Sequence, residues 1–384
     1  MKNGIAKRGS SWSYVVRVPD PKTGGTKPKW IGGFASEQEA KKARDKARVA
    51  VAGGGYVAPS KITVAEFLLS WLEIHSHSLK PSTEASYRGH VTNHLIPRLG
   101  SIKLSQLRPS HVQKFFVDMK TSGGTKKTSD DTEGEPLSAR TVQYSGAILS
   151  KALKYAVEVD GILTTNVAAI VPRPKGSPKR LEPFTPEQIR TFLEGISGHR
   201  LAALYRLAIY SGARLGEILA LNWNDLDIES TKLSISKNRI RANGKSIDQN
   251  STKGGEGRRT IDLDSETIEI LKSHRRRQLQ ERLLAGSEWQ DTGYIFVTEF
   301  GKPIDVATPS HLFQKTRKRL ELPEQRFHDL RHFHATQLLK AGIPLHVVAH
   351  RLGHRDAMVT ATIYAHVTAE QSEKASQVFA RAVE

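Results

Sequence analysis

Ser211-Gly212-Ala213-Arg214-Leu215-Gly216-Glu217-Ile218-Leu219 sets an arginine between two glycines, where one apolar helix is expected to end and another to begin. Glycine at such a junction permits a sharp turn and a close approach of backbones. Read alone, Arg214 and Glu217 are equally well an i,i+3 ion pair on a helix surface. A second segment, His328-Asp329-Leu330-Arg331-His332, places a histidine and an arginine three residues apart, on one side of a helix start. Two arginines and a histidine suit a phosphate. Further on, Arg351-Leu352-Gly353-His354 precedes Thr362-Ile363-Tyr364-Ala365, and upstream Thr252-Lys253-Gly254-Gly255 stands before the strand-like run Arg258-Arg259-Thr260-Ile261. Lys253 is therefore expected to project from a hairpin.

Around these motifs the chain is 384 residues long, with 58 Lys+Arg against 39 Asp+Glu and a formal charge of +19. That length suggests two or three domains with proper cores, and the charge suggests a polyanionic partner. The excess is uneven, since residues 1–60 hold 12 Lys+Arg and 4 Asp+Glu, a net of +8. The absence of cysteine removes disulfides, thiol nucleophiles and Cys-ligated zinc or iron–sulfur sites. No stretch approaches 18 apolar residues, and neither a basic amphipathic membrane helix nor a lipidation signal is evident, so a soluble intracellular protein without a membrane partner is expected.

Trp12, Tyr14, Val16 and Val18 alternate with polar or outward positions, turns follow at Pro19-Asp20-Pro21 and Gly24-Gly25, and Lys29-Trp30-Ile31 forms a second run. Ser36 with Glu39 reads as a capping box before the small-residue stripe Ala40, Ala43, Ala47 and Ala50, which completes a βββα module over 1–58. Residues 62–170 read as a four-helix domain. Thr63 and Glu66 open the first helix over Phe67, Leu68, Trp71 and Leu72, and Pro81 opens one through Tyr87, Val91 and Leu95. Pro109 precedes a helix through Val112, Phe115, Phe116 and Met119, and Val142, Leu149, Leu153 and Ala156 mark the last, beyond a polar loop from Thr121 to Pro136. Residues 171–180 hold three prolines and four cations and read as an extended linker. Thr185-Pro186-Glu187-Gln188 then starts a mainly helical domain over 181–384, with strand-like runs at Leu233–Ser236, Arg259–Leu263 and Tyr294–Val297. The fold class expected is mainly α with small β elements (α+β).

In order, type and context, Arg214, Lys253, His328 with Arg331, His354 and Tyr364 resemble the tyrosine recombinase, or phage-type integrase, family. The resemblance covers residues 185–370 strongly. The helical domain, with Thr83, Tyr87, Leu95-Ile96-Pro97 and Gly100, resembles that family's core-site-binding domain, and the basic N-terminal module resembles its arm-site-binding domain. A solvated basic module is the plainer alternative for the latter. Ala213 stands where the family commonly has leucine, a change of packing only. Lys245 competes for the hairpin lysine, and Lys253 is preferred because it stands immediately before the Gly-rich turn and the following strand.

The resemblance implies an integrase or recombinase of a phage or integrative element that cuts and rejoins DNA through a 3′-phosphotyrosine and a Holliday junction, with no cofactor, metal or ATP. It implies Tyr364 as nucleophile. The partners implied are double-stranded core and arm attachment sites and a homo-tetramer on DNA in a bacterial cytoplasm, at the nucleoid; an excisionase and a DNA-bending protein are compatible accessories. Elementary chemistry supports these roles. Without a metal, the charge that develops on a phosphodiester under attack needs fixed cations, and Arg214 and Arg331 are planar, permanently protonated forks. A tyrosine, with an ordinary pKa of about 10, needs its proton accepted or its phenolate stabilised. His328 suits the first task, Lys253 can protonate the leaving 5′-oxygen, His354 can donate to a non-bridging oxygen, and Glu217 orients Arg214 or a nearby histidine.

Three other readings compete. Helical spacing of His328 with His332 and of His350 with His354 allows zinc, but neighbouring arginines repel a cation. A type IB topoisomerase shares the chemistry, and the three-domain order disfavours it. An idle DNA-binding regulator commonly lacks the tyrosine or an arginine, and none is missing. Tyr205, Tyr210 and Trp223 are read as packing residues rather than base-stacking platforms, His332 and His334 as helix-packing or surface histidines, and Ala375, Val378, Phe379 and Ala382 as an amphipathic face packing in cis or in trans.

Overall fold

The computed structural model describes residues 4–19, 25–52, 61–124, 134–176, 182–242, 244–250, 257–354 and 380. The chain divides into two compact units, Met1–Pro178 and Lys179–Glu384.

In the first unit, strands β1 (Ile5–Arg8), β2 (Ser11–Pro19) and β3 (Thr26–Phe34) form an antiparallel meander in the order β1-β2-β3, followed by helix α1 (Glu37–Ala52). The period-2 pattern decides the faces: Tyr14, Val16 and Val18 are buried with Ala40 and Ala47 of α1, while Arg17 between them is exposed. Each such apolar side chain contributes about 1.5–3 kcal/mol on burial, and alanines on α1 let helix and sheet approach closely. On β2 and β3, Val15 pairs with Trp30, and the Arg8 guanidinium lies 4.0 Å from the Trp30 ring centre.

A second core in this unit is helical: α2 (Val64–Ser76), α3 (Pro81–His90), a wide π turn at Val91–Leu95, α4 (Ile96–Leu99), α5 (Pro109–Ser122), α6 (Ala139–Glu158) and the short α7 (Val167–Ile170). The reciprocal Thr63–Glu66 cap expected for α2 is present, and Phe67, Leu68, Trp71 and Leu72 are all buried. The helix expected from Pro81 through Leu95 instead passes through the π turn into α4. Pro97 explains the difference, because it offers no N–H and its ring crowds the carbonyl four residues back, so the ladder widens just before it. Gly146 brings α6 against α5, since a Cβ there would stand 2.8 Å from the Phe116 ring.

The second unit opens with α8 (Pro186–Ile196), held by the Thr185–Gln188 capping box. It continues through α9 (Ala202–Ser211), α10 (Leu215–Leu219), β4 (Leu226–Asp227), β5 (Lys232–Ile235), β6 (Lys237–Ala242), β7 (Lys245–Asn250) and β8 (Arg259–Asp262). Helices α11 (Ser265–Ala285), α12 (Ala307–Arg319), α13 (Asp329–Lys340) and α14 (Leu345–Leu352) complete it. Strands β4, β5 and β8 form one antiparallel sheet and β6–β7 a separate hairpin. Tyr205, Phe192, Phe313 and Phe327 cluster in the core, and the Tyr205 hydroxyl donates to the Pro309 carbonyl at 2.7 Å. The run Tyr294–Val297 does not form the expected strand. Only its ends make single bridges, Tyr294 to Asn222 and Val297 to Pro303, because each end has a different partner backbone. The unit is helical with small antiparallel sheets, the α+β class expected.

Candidate active site

Arg214 owes its position to the glycine turn. Gly212 ends α9 with φ 65°, and a Cβ on it would stand 2.6 Å from the His334 ring, so only glycine fits both the turn and the contact with α13. Gly216, the second residue of α10, lets that helix sit on β6, where a Cβ would come within 2.4 Å of the Arg239 carbonyl. Between them Arg214 is the N-cap residue of α10. Its backbone N–H donates to Glu217 Oε2 and its Nη1 to Glu217 Oε1, both at 2.9 Å. The pair is not a surface ion pair, because the Glu217 side chain is 3% exposed while that of Arg214 is 40% exposed.

Glu217 also receives Arg259, from the first position of β8. Arg259 Nη2 donates to Glu217 Oε2 at 2.8 Å and Nη1 to Oε1 at 3.3 Å, and the Arg259 side chain is 1% exposed. Burial pushes the Glu217 carboxyl up, but the hydrogen bonds and charge of Arg259, aided by Arg214, outweigh it and hold the group below the usual carboxylate range. Arg259 Nε donates to the Arg351 carbonyl at 2.7 Å, at the end of α14.

Arg331, on the first turn of α13 and 4% exposed, takes the next carbonyl of α14. Its Nη2 donates to Leu352 O at 2.7 Å and its Nη1 to Gly212 O at 2.8 Å. The turn that carries Arg214 and the turn that carries His354 are thus tied to one guanidinium. Gly353, with φ 69°, packs against Arg259, where a Cβ would stand 2.7 Å from Nη1. A ring of contacts therefore closes from Arg214 through Glu217, Arg259, the Arg351–Leu352 backbone and Arg331 to Gly212, two residues before Arg214.

His328 is the N-cap residue of α13, and Asp329 holds the turn before it by accepting from the Arg326 backbone N–H at 2.7 Å. Burial, then the neighbouring His332 and Arg331, press His328 down to about 4 against the opposing pull of Asp329. His354 is likewise pushed to about 4 by burial and then by Arg331, Arg214 and Arg259. Both rings are neutral at pH 7 and lie within the field of the same arginines. A neutral imidazole keeps one nitrogen that can accept a proton and one N–H that can donate. Of the residues expected from the sequence, the structure gathers Arg214, Glu217, His328, Arg331 and His354; Lys253 and Tyr364 lie outside the described residues. Among the described residues, no three His, Cys, Asp or Glu side chains group as metal ligands, and the His328 and His332 rings meet edge to face at 5.2 Å.

One contributor lies outside the motifs. Arg259 was visible only as part of a strand, yet it shares the inward face of β8 with Ile261, which is the signal that could have marked it. His334 is a buried packing histidine, the first of its two expected roles. Its Nε2 accepts from Arg351 Nε at 3.1 Å, so its Nδ1 carries the proton donated to Ile209 O at 2.9 Å. Tyr210 lies under the Arg206 guanidinium at 3.4 Å, and Trp223 Nε1 donates to Gln278, both in packing roles.

The chain matches the phage integrase family model over residues 179–371, the phage integrase N-terminal SAM-like domain over 63–119 and the arm DNA-binding domain over 3–48. It is 31% identical over 337 residues to a tyrosine recombinase XerC-like protein of Caldanaerobacter subterraneus subsp. tengcongensis, covering 82% of each chain. It is 27% identical to an integrase of Streptomyces ambofaciens, covering 80% of this chain and 77% of that one. In fold it is similar to the Tn1549 transposon integrase solved with a circular intermediate DNA, with TM-score 0.67 and 20% identity over 82% of this chain and 99% of that one. It is also similar in fold to a lambda integrase dimer solved on a COC′ core site, with TM-score 0.56 and 17% identity over 95% of each chain. With one family model spanning residues 179–371 and a relative 31% identical over four-fifths of both chains, this protein belongs to the phage integrase family, as a tyrosine site-specific recombinase.

Proposed function

We propose that the chain integrates the DNA of a phage or integrative element by cutting and rejoining attachment sites through a 3′-phosphotyrosine. The observation that carries this is the pair of hydrogen bonds from Arg331 to Gly212 O and Leu352 O, which ties the turn bearing Arg214 to the turn bearing His354. A scissile phosphate there meets the exposed fork of Arg214 and the edge of Arg331, which offset the charge developing on its non-bridging oxygens. His354 donates a hydrogen bond to one of those oxygens. Tyr364 attacks phosphorus as its phenolic proton passes to His328, whose depressed pKa keeps it neutral and able to accept. The P–O5′ bond breaks and Lys253 gives the leaving oxygen its proton. Glu217 touches no substrate and holds Arg214. The phosphotyrosine conserves the energy of the bond, so a partner strand's 5′-hydroxyl reverses the step onto a new duplex, and two such exchanges pass through a Holliday junction.

Residues 1–58 grip arm sites, 62–170 bind the core site, 171–180 link the domains and 181–384 carry the chemistry. The basic charge of the first segment supports this division, as do the three family matches in the same order. Four protomers act together, one per strand; the lambda integrase, solved as a tetramer bound to a Holliday junction, supports that number. Among the described residues no helix is long and apolar enough to cross a membrane, which suits a site of action at the bacterial nucleoid. The test is a nicked duplex spanning the joined ends of the element, with covalent adduct scored on denaturing gels. Wild type accumulates adduct and Tyr364→Phe forms none; adduct undiminished in Tyr364→Phe refutes the assignment.

A further inference from the structure

Arg259 is a buried cation in this site with no place in the chemistry above. Its guanidinium ties together three elements far apart in sequence: β8, the start of α10 through Glu217, and the end of α14 through the Arg351 carbonyl. The α14 end is stapled to β8 a second time in the opposite direction, since Arg351 Nη2 donates to Asp262 O at 3.0 Å. Strand β8 and the end of α14 are therefore joined at both ends of the strand. The gap between Gly353 and Arg259 is too small for a Cβ, so a shift of that guanidinium toward α14 presses on the residue next to His354. A shift also displaces Glu217, on which Arg214 hangs by both its backbone N–H and its Nη1.

We propose that Arg259 is a positioning residue for phosphate charge: it aligns Arg214 and His354 on the same non-bridging oxygens without touching the substrate. The inference rests on the functional reading above. A guanidinium is required because all three of its nitrogens are aimed at once, Nη1 and Nη2 at the Glu217 carboxylate and Nε at the Arg351 carbonyl, with Nη1 also reaching Gly257 O at 3.4 Å; a lysine ammonium has no such planar fork. Misplacing a catalytic group by about 1 Å costs on the order of 10²-fold in rate. The loss should appear in the cleavage step, because Arg259 is too buried to contribute to DNA affinity.

The test compares single-turnover cleavage of two nicked duplexes by the full-length protein. One carries the natural scissile phosphodiester, and the other a methylphosphonate there, which removes the charge the arginines must neutralise. For Arg259→Lys and Arg259→Met we expect DNA affinity within a fewfold of wild type and a loss of roughly 10²-fold on the phosphodiester. On the methylphosphonate the difference from wild type should shrink to a fewfold, with Lys closer to wild type than Met. Equal losses on both substrates would mean general loosening of the fold and overturn the proposal, as would a variant with wild-type rate on the phosphodiester. If Arg259→Met does not fold, Arg259→Lys, which keeps a cation beside the buried Glu217 carboxylate, carries the comparison with the same two outcomes. Arg214→Ala separates the two claims: full phosphodiester cleavage by that variant refutes the functional reading itself, whereas its loss beside substrate-independent Arg259 variants refutes only the alignment.

Discussion

Replacing Glu217 by glutamine changes one atom type at the point where two arginines converge. Glu217 is 3% exposed and Arg259 1% exposed, so the pair sits in a medium where a charge without its counterion is expensive. Removing one partner of a buried pair costs about 3–5 kcal/mol, because the remaining charge stays buried. For the unit Lys179–Glu384, at roughly 2–4 °C per kcal/mol for this size, the expected fall in melting temperature is about 6–20 °C. The chain has more than one unit and need not unfold in a single step, so calorimetry should be read with hydrogen exchange in peptides covering α10 and β8. Protection should be lost there first. Adding Arg259→Met to Glu217→Gln should recover most of the lost stability, since a neutral pair of similar volume leaves no buried charge. Cleavage should not recover, because Arg214 has lost its carboxylate in both variants. A shift below about 1 kcal/mol for Glu217→Gln, or additive losses in the double variant, would show that the carboxylate does not balance Arg259.

Two further outcomes follow from charge. His334 is buried and held near 4, below its ordinary value, by burial and then by Arg351. A histidine with a depressed folded pKa leaves the unfolded chain binding more protons between about 4 and 6.5, so stability is full above 6.5, falls as pH drops through that window and levels off below it. The full span is about 3 kcal/mol for one such group, and because His328 and His354 are lowered in the same way, His334→Phe should make the profile between pH 6.5 and 4 shallower by that one share; an unchanged slope would count against the buried neutral tautomer. Deleting residues 1–58 should make the salt dependence of binding to a duplex carrying arm and core sites shallower, because fewer counterions are released; equal slopes would remove the arm module from the DNA grip.

Residues close in sequence made much of this protein legible. The caps Thr63–Glu66 and Thr185–Gln188, the β2 alternation Tyr14-Val16-Val18 and the turn around Arg214 all depend on contacts within a few residues, and each appears in the structure as expected. The hairpin β6–β7 was missed although Asn243-Gly244, a strong two-residue turn signal, stands between its strands. Charged residues interrupt its apolar alternation, and pairing such as Ile240 with Ile247 was needed to see it. Tyr294–Val297 failed in the opposite way, since a local apolar run does not say whether one neighbouring strand will take both ends.

The sequence by itself determined which side chains could bind a phosphate and in what order they come, because their types and spacing are local properties. Only the tertiary structure decided how they are held. Arg259 and Glu217 stand 42 positions apart, and Arg331 meets Gly212 across 119. Contacts of that separation depend on helices and strands packing around a common core, and no spacing rule along the chain can express them.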